Sequence, residues 1–282
     1  MNAMKRILIL LLLVPGLLVG VIFPTSGQQF EGIAMYRSSM NFESVNVAGT
    51  NMNPEMQESI RKQLAQSSQR DYILKFNVQE SLWKEEAKLD PVSNPAAANG
   101  VQVRISTGNS VSYMNPSKNE FLEETEIFGK RFLIADELET FSWKITNETK
   151  KIGDYTVVKA EFQDISERTT MALSDSEQTT QTVMDTTNIT AWYTPEIPVS
   201  QGPNSSWGLP GLILEMNDGT MSFLCTKIEL NPADPVVIEK PGKGKRVTRA
   251  EADEIRDEKM QEMMKKYNTG EGGETRVIRI GG

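Results

Sequence analysis

Apolar and polar residues alternate along most of the chain, in short runs that turn residues separate from one another. Alternation with a period of two is typical of strands in an antiparallel sheet with one buried face. The clearest runs lie at residues 32–42, 70–86, 101–105 and 111–113. Leu82 and Trp83 extend the second run, so that 70–86 reads as one continuous strand region. The pattern therefore predicts an antiparallel sheet.

Turn residues predict two hairpins and one exposed segment. Phe128-Gly129-Lys130 lies between two apolar runs and predicts a hairpin tip. Asp218-Gly219 predicts a second hairpin between residues 212–216 and 221–230, because Asp-Gly readily adopts the positive φ angles of a type I′ turn. Residues 164–188 are rich in Ser, Thr, Asp and Gln, which predicts either a mobile loop or an exposed hairpin.

Two segments show helical periodicity. Near residues 54–66, an Asn-Pro pair offers an N-cap and a proline in the first turn, and a narrow apolar stripe follows. From residue 249 to 267, a second helix follows the capping box of Thr248 and Glu251. The surface of this second helix is mostly charged, which predicts a loosely packed helix or a docking arm.

These elements predict a mainly β (α+β) fold, either a curled antiparallel meander sheet or an open half-barrel, with one packing helix and a C-terminal helix. The predicted organisation is a signal peptide over residues 1–27, an antiparallel β domain over 28–236 and a C-terminal part over 237–282. That last part combines a linker rich in Pro, Gly and Lys with the charged helix and a strand-like tail at 275–280.

The N-terminus has the pattern of an export signal. Lys5 and Arg6 precede an uncharged run over residues 7–23, and small residues just before Gln28 suit cleavage at that point. An uncleaved transmembrane anchor is the alternative, although the run is slightly short for one and Pro15 would weaken a helix. We expect an exported protein, periplasmic or secreted, with no stable membrane span after cleavage.

Charge and residue content exclude several classes of function. The net charge is −8, and removing residues 1–27 leaves 28 basic and 38 acidic residues, a net charge of −10. An acidic chain repels nucleic acid, which is therefore not an expected partner. The chain has no histidine, which excludes His-based triads and the usual zinc and haem sites. Cys225 is the single cysteine, and its apolar surroundings predict a buried, inert thiol. We predict no catalytic residue, no cofactor and no metal site.

Three ordered sequence blocks resemble a known family. Residues 208–213 read Gly-Leu-Pro-Gly-Leu-Ile, and two related blocks precede them at 191–203 and 143–160. Together they resemble the GLPGLI family of small exported proteins from bacteria with an outer membrane. The resemblance implies a place in the cell envelope and little about activity. Val157 stands where many members carry a cysteine, so no role of that cysteine is transferred.

The hexapeptide and its aromatic neighbours form the candidate site. Gly208 and Gly211 flank Pro210, a pattern for a tight turn that enters a buried strand. Either this is a structural corner of the core, held by aromatic packing, or its glycines let a ligand or partner backbone approach closely. The candidate corner comprises Trp192, Tyr193, Trp207, Gly208, Leu209, Pro210, Gly211, Leu212 and Ile213.

The predicted function is a non-enzymatic binding or assembly module of the cell envelope that works in the periplasm. Its expected partner is a lipid or other apolar ligand, a peptide or an envelope protein. The alternative is a hydrolase, or an accessory domain of one, that uses carboxylates alone. Two facing acids in a deep polar cleft would favour this alternative.

Overall fold

The computed structural model describes residues 30–41, 69–86, 110–174 and 177–268. The predicted features at 1–27, 54–66, 101–105 and 275–280 lie outside the described residues. The described elements are β1 (Glu31–Met40), β2 (Arg70–Asn77), β3 (Ser81–Glu85), β4 (Val111–Asn115), β5 (Glu120–Ile127), β6 (Lys130–Asp136), β7 (Lys144–Ile152), β8 (Tyr155–Ser174), β9 (Glu177–Thr194), β10 (Leu212–Asn217), β11 (Met221–Leu230), β12 (Lys245–Val247) and the helix α1 (Arg249–Asn268).

The twelve strands form one open sheet in the order β12-β6-β5-β4-β3-β2-β1-β11-β10-β9-β8-β7. Neighbouring strands are antiparallel, except that β12 pairs in parallel with β6. This architecture confirms the prediction of a mainly-β chain, whereas the curled half-barrel shape stays a prediction. None of the described helical residues forms a helix long and apolar enough to cross a membrane.

Strand β1 joins the two halves of the sheet. It pairs with β2, where Tyr36 faces Tyr72, and with β11, where Tyr36 faces Cys225. Ala34 and Tyr36 are fully buried while Arg37 is exposed, as expected for a strand whose side chains alternate between two faces. The alternation seen in the sequence thus places one face of β1 in the core.

Both predicted hairpin tips are turns, but the type I′ backbone predicted for Asp218-Gly219 occurs at Phe128-Gly129 instead. Phe128 and Gly129 have φ angles of 47° and 80°, the two positive values of a type I′ turn. At the other tip Gly219 has a φ of 86° and Asp218 is not among the residues with positive φ, so the type I′ prediction is wrong there. The Asp218 carboxylate instead accepts hydrogen bonds from the backbone N–H groups of Thr220 and Met221, at 2.9 and 2.6 Å.

The run at residues 70–86 is two strands, β2 and β3, rather than one. The Asn77 side-chain oxygen accepts hydrogen bonds from the N–H groups of Gln79 and Glu80, at 2.8 and 2.9 Å. An Asn side chain can replace a backbone carbonyl in this way and reverse the chain. The continuous strand region predicted from the sequence is therefore corrected to a hairpin.

The polar stretch predicted as a mobile loop or an exposed hairpin is a hairpin. Its backbone belongs to the far ends of β8 and β9, which pair from Val158 with Tyr193 out to Ser174 with Glu177. Beyond the last residues that pair with β7 and β10, the two strands have only each other as strand partners among the described residues.

The C-terminal segment packs more closely than its charge suggested. The predicted capping box is present: the Thr248 N–H donates to the Glu251 carboxylate at 2.7 Å, and the Glu251 N–H donates to the Thr248 hydroxyl at 3.2 Å. Ala252 and Val247 are buried in an apolar cluster with residues of β4, β5 and β6. The predicted linker ends in a sheet strand, so the first turn of α1 is docked on the β domain.

Residues 235–243 cross the opposite face of the sheet. Ile238 packs against a cluster that includes Tyr113 and Leu122. The Lys240 ammonium lies 4.8 Å from the centre of the Tyr113 ring and 2.6 Å from the Glu120 carboxylate. Strands β4 and β5 are therefore covered on both faces. This explains why the consecutive residues Tyr113 and Met114 are both buried.

Candidate functional site

The candidate corner is a loop that folds back onto the start of β10. β9 ends at Thr194 and β10 begins at Leu212, and two hydrogen bonds fasten residues 195–211 between them. The Leu212 N–H donates to the Ile197 carbonyl and the Ile213 N–H donates to the Gln201 carbonyl, each at 3.0 Å. The Gln201 side-chain amide donates to the Asn77 carbonyl at 3.2 Å, so the loop also reaches the turn after β2.

Burial divides the corner residues into two groups. Four residues pack in the core cluster around β1, β2 and β10, namely Tyr193, Leu209, Leu212 and Ile213. Gly211 is also buried. Trp192 and Trp207 are half-buried, and Gly208 and Pro210 are exposed. The apolar residues of the hexapeptide thus fill the core and leave only the glycine-proline turn at the surface.

The glycines of the loop permit close contact within the chain itself. A Cβ atom on Gly211 would lie 2.1 Å from the Thr194 carbonyl oxygen, and one on Gly202 would lie 2.6 Å from the Ile213 Cβ. Both spaces are filled by the protein's own atoms. This geometry supports the interpretation of the hexapeptide as a structural corner over close approach by a ligand at these glycines.

The three aromatic residues of the corner are not gathered into one site. The Trp207 carbonyl accepts a 2.8 Å hydrogen bond from the Trp143 indole, and the Trp207 indole donates to the Glu139 carbonyl at 2.7 Å. Trp192 and Tyr193 are consecutive residues of β9, so their side chains point to opposite faces of the sheet. The Lys150 ammonium lies 4.3 Å from the centre of the Trp192 ring.

A second feature, which the sequence did not single out as a site, is the outer part of the β8–β9 hairpin. β7 pairs with β8 only as far as Glu161, and β10 pairs with β9 only as far as Thr190. Beyond these points, residues 162–174 and 177–189 pair only with each other in the part of the chain that the structure describes. We call residues 162–189 the ribbon, a two-stranded extension whose outer backbone edges have no strand partner among the described residues.

The base of the ribbon combines a cleft with an aromatic cluster. The cleft has a volume of about 560 Å³ and is lined by Ser142, Lys144, Glu161, Phe162, Gln163, Asn188, Ile189 and Thr190. The rings of Phe141 and Trp143 lie 5.6 and 5.9 Å from the ring of Phe162. The cleft therefore has apolar side chains within a polar rim, at the point where β7 leaves the sheet.

The ribbon is acidic and carries exposed apolar side chains. Residues 162–189 contain five acidic residues and one basic residue, a net charge of −4. Ile165 is 60% exposed and Met184 is 64% exposed. Ile165 faces Thr186 and Met184 faces Glu167 in the strand register, so the two apolar side chains are diagonal neighbours on one face.

The described residues contain little that could carry out catalysis. Burial raises the pKa of Cys225 to about 12, so the thiol stays protonated and the prediction of an inert cysteine is supported. Glu161 is the one carboxylate in the cleft lining. A hydrogen bond from Lys159, at 2.8 Å, lowers the pKa of Glu161 and keeps it ionised. No group of three potential metal ligands occurs among the described residues.

A family model described as a protein of unknown function (Porph_ging) matches residues 143–215. This segment begins at Trp143 and contains the hexapeptide. No curated protein matches the chain. Two structures of PNGF-II, in the C2 and P21 space groups, share 17% identity with it at a TM-score of 0.42, covering 81% and 80% of this chain. The matched parts are 32% and 33% of PNGF-II, so this chain spans about a third of that protein. Residues 143–215 thus fit a family whose function is unknown, and the GLPGLI name stays a resemblance.

Proposed function

We propose that the protein is a non-enzymatic binding or assembly module of the cell envelope, which works in the periplasm and holds a partner protein at the edge of its ribbon. The observation that carries the proposal is that residues 162–174 and 177–189 pair only with each other among the described residues, beyond the last partners of β8 and β9. An open strand edge presents unpaired N–H and C=O groups, onto which an extended segment of another protein can add as a further strand.

A protein partner is favoured over a lipid by the packing of the described core. The side chains that a lipid carrier would keep clear are packed against one another, and Leu209 and Ile213 of the corner are fully buried there. The cleft at the base of the ribbon has a polar rim and opens at a strand edge. Such a site suits one apolar side chain of a bound peptide better than an acyl chain.

The alternative of a carboxylate-based hydrolase has less support. A pair of catalytic acids requires two carboxyl groups that face each other across a substrate site. Glu161 has no second acid beside it in the lining of the cleft, and its ion pair with Lys159 keeps it charged rather than able to donate a proton. No observation on the described residues favours this activity over binding.

The test is a variant in which the ribbon is shortened. Gln163 and Asn188 face each other in the hairpin, so residues 164–187 can be replaced by Asn-Gly, which closes a two-residue turn. We expect the full-length protein, purified gently from the periplasm, to carry a partner protein in native mass spectrometry. The shortened variant should lose it while its melting temperature falls by no more than about 3 °C.

A photo-reactive amino acid locates the contact directly. Placed at Ile165 it should crosslink to the partner, whereas at Val78 it should not, because Val78 is equally exposed, at 60%, but lies on the turn between β2 and β3. Retention of the partner by the shortened variant would contradict the proposal. So would a lipid as the sole bound molecule.

A further inference from the structure

The edge of the ribbon would suit an added strand that is basic and has apolar side chains on both faces, and the chain itself contains such a segment. We propose that residues 275–280 of a second copy of the chain, Thr-Arg-Val-Ile-Arg-Ile, occupy the open edge of β8 as an added strand. The inference rests on the proposed function, because it names the segment that the ribbon edge binds.

The need for a third strand follows from the shape of the ribbon. Each arm runs thirteen described residues, 162–174 and 177–189, past the last residue that pairs with β7 or β10. A two-stranded hairpin on its own is at best marginally stable in water. Ile165 and Met184 remain exposed on it. An added strand satisfies the backbone groups of one edge and covers part of this apolar surface. The edge of β8 is the better of the two, because the cleft opens beside it at Ser142 and Lys144.

Charge matches the two segments. The ribbon has a net charge of −4, whereas residues 275–280 carry two arginines and no acidic residue. Arg276 and Arg279 are an odd number of residues apart, so in a strand they point to opposite faces. Asp164 and Glu167 of β8, both beyond the last residue that pairs with β7, are also three residues apart in the strand. Each arginine can therefore approach a carboxylate on its own face, and two ribbons would repel each other.

Apolar side chains match in the same way. In an added strand, Val277 would point to one face and Ile278 and Ile280 to the other. The ribbon offers apolar contacts on both faces, with Phe162 and Ile189 in the cleft on one face and Ile165 and Met184 on the other. A strand with a single apolar face would leave one of these pairs uncovered.

A series of contacts links the start of α1 to the base of the ribbon. The Arg249 guanidinium pairs with the Glu139 carboxylate, and the Glu139 carbonyl accepts from Trp207, whose own carbonyl accepts from Trp143. Trp143 packs against Phe162, the first residue of the ribbon. A helix of 20 residues spans about 30 Å. The six residues before 275 add up to about 20 Å when extended. The six residues are therefore too short to lead back along the helix to its start, which favours the ribbon of a second copy.

The experiment uses the purified full-length protein with the photo-reactive amino acid at Ile165, and at Val78 as the control. After irradiation and digestion, mass spectrometry should find residues 275–280 joined to position 165 and not to position 78. A mixture of isotopically light and heavy protein should give mixed crosslinks, which form only between copies, and crosslinks confined to single copies would contradict the inference.

Two further variants test the role of charge. R276E/R279E should reduce the crosslink at position 165 at least fivefold. K130E/K151E makes the same charge change at two exposed lysines and should leave the crosslink unchanged. A purified protein that crosslinks from position 165 to another segment, or to none, overturns the inference. If position 165 then captures a separate envelope protein in the periplasm, the proposed function still holds.

Discussion

The hydroxyl group of Tyr36 donates a 2.7 Å hydrogen bond to the backbone carbonyl of Ile213, although 177 residues separate the two in sequence. Tyr36 lies in β1 and Ile213 in β10, and β11 lies between these strands in the sheet. Both residues are fully buried, and burial raises the pKa of Tyr36 well above its usual value, so the hydroxyl remains a donor. The bond ties the hexapeptide corner to the central strand of the fold.

Removing this hydroxyl should destabilise the protein. Tyr36→Phe leaves the Ile213 carbonyl buried without a donor, which should lower the free energy of unfolding by about 1–3 kcal/mol. Urea denaturation followed by tryptophan fluorescence measures the change. Tyr193→Phe is the matched control, because Tyr193 is also buried and no described residue hydrogen-bonds its hydroxyl, and it should change stability by less than about 0.5 kcal/mol. Equal losses in the two variants would contradict the role given to the bond.

Adding one methyl group at the corner should be costly. In Gly211→Ala the new Cβ meets the Thr194 carbonyl oxygen at 2.1 Å, and backbone atoms cannot move aside as a flexible side chain can. We expect a loss of about 3 kcal/mol in unfolding free energy, at the upper end for overpacking. In Gly242→Ala the new Cβ has no atom within 4 Å, so its stability should stay near that of the original chain. A stable Gly211→Ala protein would show that the corner can shift.

The thiol of Cys225 should react slowly until the protein unfolds. Its pKa is raised to about 12 by burial. A free thiol ionises near pH 8.5, so the thiolate fraction at pH 8 should be roughly a thousandfold smaller in the folded protein. Labelling with a disulfide reagent should be slow in buffer and fast in urea. The variant Val78→Cys adds an exposed thiol as an internal standard, and labelling of both thiols at one rate would refute the prediction.

The same raised pKa has a consequence for stability. Because the folded state keeps the Cys225 proton that the unfolded state releases, its contribution to stability is complete below about pH 8.5. That contribution is lost as the pH rises toward the folded-state pKa of about 12. The urea midpoint should fall over this alkaline range, and less so in Cys225→Ala. An identical pH dependence in both proteins would exclude the thiol as a cause.

The docking of α1 can be tested with one pair of alanines. Ala252 is fully buried against the sheet, whereas Ala250 in the same turn is exposed. Ala252→Asp places a charge in an apolar cluster and should release the helix, with loss of hydrogen-exchange protection in α1 and a destabilisation of about 2–4 kcal/mol. Ala250→Asp adds the same charge near the helix N-terminus, where it is tolerated. If Ala252→Asp keeps full protection, the helix is held by other contacts.

Local chemistry explains which parts of the fold could be predicted. The turn at Phe128-Gly129 and the capping box at Thr248 were predicted because the residues that form them are neighbours in sequence. The hairpin at Asn77 was missed because its turn depends on a side chain that accepts two backbone hydrogen bonds. Alternation of apolar residues indicated strands but could not identify the partner of each strand.

The features that could not be predicted depend on contacts between residues far apart in sequence, and the nature of the candidate site is one of them. The sequence marked residues 208–213 as apolar and glycine-rich, but both a core corner and a ligand site have that composition. The structure fills the space beside Gly211 with the Thr194 carbonyl, a contact no local pattern reveals. The ribbon was missed because its open edge depends on where β7 begins and β10 ends, which the polarity of residues 164–188 does not specify.

The pairing of β1 with β11 also determines the order in which the molecule can be completed. Each of the other antiparallel pairs joins strands that follow one another along the chain, whereas this pair joins residues 31–40 with 221–230. Strands that are so far apart in sequence pair late in folding, because a long loop must lose conformational entropy before any contact between them forms. Until then one edge of β1 has unpaired backbone N–H and C=O groups, which can pair with strands of other chains. The time between the appearance of β1 and that of β11 is therefore the interval in which a newly made chain is most prone to aggregate.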